Sequence, residues 1–129
     1  MENSIIDLII RIKNGYMAHR ETVDSPYSKY REAIVKKLET LRLIKTHTIE
    51  TDGVKKKIII TLLYNDGIAR FTEVRLFSKP GQRYYISYQK IYSTVGRYGY
   101  AFLSTSKGIL TKQEAVKEKL GGELLFNIW

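Results

Sequence analysis

The sequence predicts an α+β chain of two small packed domains, and three observations carry that reading. Two helical patterns are followed by a hairpin. A run of strand patterns, broken by one capped helix, then fills the second half. Between the halves lies Asn65-Asp66-Gly67, a turn cluster with no linker of any length. The expected domains are therefore residues 1–66 and 67–129, packed on one another.

The elements follow in order. Ser4-Ile5-Ile6-Asp7 has capping-box spacing at the start of a first helix. Ile5, Ile9, Ile12 and Tyr16 make its stripe, with Ile6 and Ile10 widening it. Asn14-Gly15 is its expected stop. Pro26-Tyr27-Ser28 opens a second helix with Ser28 as cap, and Ile34, Val35, Leu38 and Leu41 form its apolar face. Thr46 to Thr51 reads as a strand, Asp52-Gly53 as a hairpin turn, and Lys57 to Tyr64 as the return strand. The second half opens with a long strand, Ile68 to Phe77. Ser78-Lys79-Pro80-Gly81 breaks it, and Arg83 to Tyr88 resumes it. A short helical stretch around Gln89 to Thr94 precedes the loop Gly96-Arg97-Tyr98-Gly99 and the strand Tyr100 to Leu103. Thr111-Lys112-Gln113-Glu114 is a full capping box for a helix reaching Leu120. Gly121 is its expected stop, and Glu123 to Trp129 is the closing strand.

Composition narrows the function. A chain of 129 residues can bury a core without disulfides or metal, and it contains no cysteine, which excludes thiolate zinc sites and thiol catalysis. No apolar run approaches the roughly 20 residues of a membrane span. Met1-Glu2-Asn3-Ser4 lacks the basic start of a signal peptide. The protein is expected to work where it is made, without a membrane or a small-molecule substrate. The net charge of +9 is unevenly placed. Residues 1–66 hold 12 basic and 9 acidic side chains, whereas residues 67–129 hold 10 and 4, with 11 of the 15 aromatics. Basic charge interleaved with aromatics is the composition of a nucleic-acid surface, and equally of a solubilised aromatic sheet.

The chemistry-bearing residues gather in two turns about one helix apart. The first is Ser104-Thr105-Ser106-Lys107-Gly108 and the second is Gly121-Gly122-Glu123. Short hydroxyls can bond phosphate oxygens, 2′-hydroxyls or base edges, Lys107 adds a point charge, and Gly108 admits a close approach. The same hydroxyls can instead satisfy their own backbone. Lys79-Pro80-Gly81 with Arg83 and Tyr85 is a basic turn followed by an aromatic, suited to touching a backbone and stacking. Lys55-Lys56-Lys57 suits a phosphate contact, but such a run beside a hairpin tip is more often solvated and blunts a strand edge. A P-loop does not fit, because Lys107 precedes its glycine. No nucleophile elbow surrounds the serines, and His19 and His47 lie in the other half without supporting ligands. No catalysis, cofactor or metal is expected. A basic interaction module contacting acidic proteins is the alternative.

These segments together resemble the bacterial ribosomal protein S8 family. Its signature runs Ser-Thr-Ser-x-Gly, two apolar residues, Thr, an acid- and Ala-containing helix, Gly-Gly-Glu and an apolar strand. Here it reads Ser104-Thr105-Ser106-Lys107-Gly108-Ile109-Leu110-Thr111, then Glu114-Ala115, then Gly121-Gly122-Glu123-Leu124-Leu125. Arg11-Ile12-Lys13-Asn14, Pro26-Tyr27-Ser28-Lys29 and Ser78-Lys79-Pro80-Gly81 with Arg83 and Tyr85 match in the same order. The resemblance implies an N-terminal α/β domain, two helices on a short sheet, packed on a mostly β C-terminal domain. It implies binding to the central domain of small-subunit ribosomal RNA, support of subunit assembly, neighbouring small-subunit proteins as partners, and in some members repression of the protein's own messenger RNA. A bacterial cytoplasmic ribosome, or an organelle ribosome, is the implied location. The implied RNA-binding residues are Ser104, Thr105, Ser106, Lys107, Gly108, Gly121, Gly122 and Glu123, with Tyr85, Lys79 and Arg83 secondary. Two positions depart from the pattern. Arg97 stands where the family has the first glycine of a Gly-x-Gly, which adds a candidate phosphate contact. Phe126 stands where a cysteine is common.

Overall fold

A computed structural model describes residues 2–129, with side chains from Ile5 onward. Its contacts divide the chain into two units, Asn3–Thr72 and Glu73–Trp129.

In the first unit, helix α1 (Glu2–Met17) buries Ile5, Leu8, Ile9, Ile12 and Tyr16 along one stripe. The helix begins before Ser4, which is therefore not its cap; the Ser4 side chain lies outside the described residues. Nor does Gly15 end the helix. A Cβ there would run into the Val23 side chain, so this glycine serves close packing against the next element. That element is β1 (Thr22–Pro26), a strand absent from the sequence prediction because Thr-Val-Asp-Ser-Pro carries a single large apolar residue. Helix α2 (Lys29–Thr40) starts as predicted, with Ser28 Oγ accepting from the Arg31 amide at 3.0 Å. Strands β2 (Thr46–Asp52) and β3 (Lys55–Thr61) form the hairpin, its two-residue loop being Gly53-Val54, one residue later than expected. The sheet order is β1-β3-β2, all antiparallel. Ile58 and Ile60 of the central strand are buried, while β2 is largely exposed, so one face carries the core and the other meets solvent. Arg31, nearly buried, donates to Ser25 Oγ and to Asp7 Oδ2 and ties α2 to β1 and α1.

Asp66-Gly67 closes a small hairpin of β4 (Tyr64–Asn65) and β5 (Ile68–Ala69), both loop residues having positive φ. The long strand expected from Ile68 to Phe77 does not form. Phe71 turns out of the ladder to pack edge-on against Tyr16, ring centres 5.2 Å apart, and pairing resumes only at β6 (Val74–Leu76).

In the second unit, Lys79 and Gln82 exchange two backbone hydrogen bonds across Pro80-Gly81, with Gly81 at φ 77°. Pro followed by a positive-φ glycine is the type II pattern. Of the stretch Arg83–Tyr88 only β7 (Tyr85–Ile86) pairs as a strand. A 3₁₀ turn (Tyr88–Lys90) leads into α3 (Ile91–Val95), close to the predicted helical stretch. Strands β8 (Tyr100–Thr105) and β9 (Gly108–Thr111), helix α4 (Lys112–Glu118) and β10 (Gly122–Ile128) complete the chain. β10 is central, with β8 and then β9 on one side and β6 and β7 on the other. A bulge at Leu125 shifts its register against β8. Ala101, Leu103 and Leu124 thus join Ile91 and Ala115 in one cluster, while Phe102 and Phe126 stack at 4.9 Å on the opposite face. Burial on both faces makes these strands continuous apolar runs. Phe126 is a fully buried packing residue.

The capping box of α4 forms as expected: Thr111 Oγ1 accepts from the Glu114 amide, and Glu114 Oε1 accepts from the Thr111 amide. Its end differs. Lys119, at φ 57°, stops the helix, and Leu120 N–H bonds Ala115 O at 2.9 Å, leaving Gly121 free for another role. The same closing pattern ends α1 at His19, with Arg20 N–H on Gly15 O, and α2 at Arg42, with Leu43 N–H on Leu38 O.

Candidate nucleic-acid interface

The two turns meet through strand register. Glu123 pairs with Ser104 across β8 and with Tyr85 across β7, so three predicted residues stand in one row, Tyr85–Glu123–Ser104. Directly opposed residues share a face, and this row continues the face of Phe102 and Phe126 at its polar end. The glycines make the approach close. A Cβ on Gly122 would collide with the Ser104 carbonyl, and one on Gly121 would lie 2.5 Å from the Ile86 carbonyl. Glycine is required there by backbone proximity, not by helix termination.

The Ser104–Gly108 cluster is the tip of the β8–β9 hairpin. Thr105 and Gly108 pair, Ser106-Lys107 is the turn, and Gly108 follows it at φ 97°. Thr105 Oγ1 donates to Gly108 O at 2.8 Å and accepts from the Lys107 amide at 3.1 Å. Its hydroxyl therefore shapes the turn. Ser106 is exposed and Ser104 half-buried, and neither hydroxyl has a partner among the described hydrogen bonds. Lys107 Nζ lies 2.8 Å from Glu118 Oε1, and this contact holds the Glu118 carboxyl below its usual range. Both groups are exposed, so a phosphate can compete for the lysine. Nothing lies within 4 Å of a Cβ built on Gly108, so this edge of the turn is open.

On the other flank, Tyr85 is 72% exposed. Arg83 reaches back to Glu123, with Nη1 3.0 Å from Oε2, and the glutamate side chain is mostly buried. The pair fixes the row. Ser78, unremarked in the sequence except as part of its motif, is the clamp behind it. Its hydroxyl donates to Leu124 O at 2.8 Å and accepts from the Tyr84 amide at 3.0 Å, joining the Lys79 turn to β10. Lys79 is exposed on that turn.

Arg97 is not brought into this cluster. It precedes β8, whereas Ser104 lies near that strand's far end, so the two are about 20 Å apart at the usual strand rise. Its guanidinium lies 4.5 Å from the Tyr92 ring centre. Behind it is Lys112, fully buried, whose ammonium donates to Gly96 O at 3.2 Å and Tyr98 O at 2.8 Å. Burial, and then the charge of Arg97, lower the Lys112 pKa. No sequence signal marks a capping-box neighbour as a buried cation.

Elsewhere, Lys57 lies 3.6 Å from Asp24 Oδ2, and Lys56 lies over the Tyr27 ring at 5.3 Å. His47 Nδ1 is 2.5 Å from Glu39, and His19 stacks on Tyr64. Among the described residues no group of three or more metal-ligating side chains gathers, and no helix is long and apolar enough to cross a membrane.

The family model for ribosomal protein S8 matches residues 3–129. The chain belongs to the ribosomal protein S8 family. Relatives named small ribosomal subunit protein uS8 match across nearly the whole chain. That of Mycoplasmopsis pulmonis is 39% identical over 97% of this chain and 95% of its own length. That of Nautilia profundicola is 38% identical over 100% and 99%, and that of Caldicellulosiruptor bescii is 40% identical over 97% and 96%. Members of the S8 family are structural components, and the chain is accordingly not an enzyme. The α+β class read from the sequence stands, with four helices and antiparallel sheets among the described residues.

Proposed function

We propose that this S8-family chain is a structural constituent of the small ribosomal subunit that binds the central domain of small-subunit ribosomal RNA and supports assembly. The observation that carries the reading is the register placing Tyr85, Glu123 and Ser104 side by side at the mouth of the Ser106-Lys107 turn. Unpartnered serine hydroxyls meet 2′-hydroxyls or base edges, Lys107 and Lys79 meet phosphates, and the Tyr85 ring stacks on an exposed base. Gly108, Gly121 and Gly122 keep the surface low enough for the RNA to approach. Thr105, Arg83 and Glu123 hold its shape. Such a surface reads an irregular RNA by form, because a regular A-form major groove is too narrow to enter. Neighbouring small-subunit proteins are its other partners. Its own messenger RNA is a further ligand where that RNA presents the same shape. The place of action is the ribosome, bacterial or organellar.

The test is binding to a small-subunit RNA fragment and to an unrelated RNA in parallel. Ser106→Ala is expected to weaken the first roughly tenfold and the second little, in line with loss of a specific contact. Equal losses on both would remove the turn from the reading role. A salt-resistant complex with an acidic protein, together with no binding to ribosomal RNA, would overturn the function.

A further inference from the structure

The Gly96–Gly99 loop is built as firmly as the first site, yet it lies at the opposite end of β8. Both glycines have φ of 72°. A Cβ on Gly99 would lie 2.5 Å from Ile128 O and 3.2 Å from Trp129 Cβ, so the loop is pressed onto the end of β10. From below, the Lys112 ammonium bonds the carbonyls of Gly96 and Tyr98. Removing a lysine head group from water is costly, and among the described residues the partners of Lys112 are these carbonyls, with no carboxylate to offset the cost. Core packing alone gives no reason to spend that cation on a surface loop. What the anchoring achieves is display. Tyr98 is 90% exposed and Arg97 projects beside it, over Tyr92, while half-exposed Trp129 lies alongside Gly99. A rigid exposed aromatic next to a guanidinium, above a buried positive charge, is complementary to an unpaired nucleotide: a flat base with a phosphate attached.

We infer that this loop is a second RNA contact, separate from the paired turns, in which Tyr98 stacks on an unpaired base, Arg97 meets its phosphate and Lys112 is the positioning residue. It rests on the RNA-binding reading above. The two contacts are about 20 Å apart along β8, so they touch different nucleotides.

The experiment measures affinity and backbone footprint of the full chain on small-subunit RNA. Tyr98→Ala is expected to lower affinity roughly tenfold and Tyr98→Phe to retain it, as for loss of one stacked base. Arg97→Ala should lower the slope of log affinity against log salt by about one. Each should erase one set of protections while the Ser106-dependent set persists. Lys112→Met should erase the Tyr98-dependent set and add no further loss to Tyr98→Ala. Tyr98 and Arg97 are exposed, so their variants decide the matter even if Lys112→Met does not fold. If Ser106→Ala weakens binding but the Tyr98 and Arg97 variants leave affinity and footprint unchanged, the second contact is wrong and the first stands. If those variants lose only a protein partner, the loop is not an RNA contact. If the unaltered chain binds no ribosomal RNA, both readings fall.

Discussion

At the scale of single residues, what separates scaffold from contact is whether a polar group is already used. Tyr16 shows the scaffold case. Its hydroxyl, within the first core, donates to Leu43 O at 2.6 Å and accepts from the Leu63 amide at 3.2 Å. Burial raises its pKa above the ordinary 10.0. The unfolded chain therefore loses this proton first as pH rises, and the folded state binds more protons in that window. Stability is expected to fall as pH climbs past the ordinary tyrosine range, and Tyr16→Phe should remove that part of the decline. At neutral pH the same substitution leaves two backbone groups without their partner and should cost about 1–3 kcal/mol in a denaturant titration. Gly122 is the steric counterpart. Gly122→Ala forces its strand away from the Ser104 carbonyl and is expected to lower stability by about 1–3 kcal/mol. It should also splay the row that Ser104 and Glu123 share, weakening RNA binding in the folded fraction.

At the scale of elements, three helices end alike, each with a cationic or imidazole side chain in the left-handed position: His19, Arg42 and Lys119. Glycine adopts that conformation without the Cβ clash, which costs other residues roughly 1–2 kcal/mol. Lys119→Gly is therefore expected to raise stability by about 1 kcal/mol, read as a higher denaturation midpoint at constant slope. No change would mean that the lysine's charge at the helix terminus offsets its strain. These endings also show what the sequence could disclose. The Ser28 cap and the Thr111–Glu114 box were legible because both partners lie within four residues. Helix ends at His19 and Lys119 were not, because glycines nearby offered a simpler stop while those glycines were required by contacts distant in sequence. β1 was hidden for the same reason: only pairing with β3 makes Thr22–Pro26 a strand. In the candidate site, the residue types of both turns were legible. That Glu123 stands between Tyr85 and Ser104 was not, since register is set by the bulge at Leu125 and the clamp of Ser78. That Arg97 stands apart from the turns was not legible either, since only the extended strand β8 carries the chain from one to the other.

At the scale of the whole molecule, the net charge of +9 draws in any polyanion, and affinity for RNA is expected to fall linearly with log salt. Local acids decide which cations join in. Lys107 is held by Glu118 in the free protein, so RNA must displace one carboxylate to recruit it. Glu118→Gln should release the lysine and tighten binding at low salt, with the gain fading as salt is added. The sign of the proton linkage follows. Lys107 lowers the Glu118 pKa in the free chain. Transfer of Lys107 to a phosphate lets that pKa rise, so the complex holds more protons than the free protein in the carboxylate range, and affinity should increase as pH falls into it. The measurement is the Glu118 carboxyl resonance titrated with and without RNA. An upward shift on binding, absent in Lys107→Ala, places the lysine on the RNA; an unmoved titration leaves Lys107 on Glu118 and returns the phosphate contact to its neighbours.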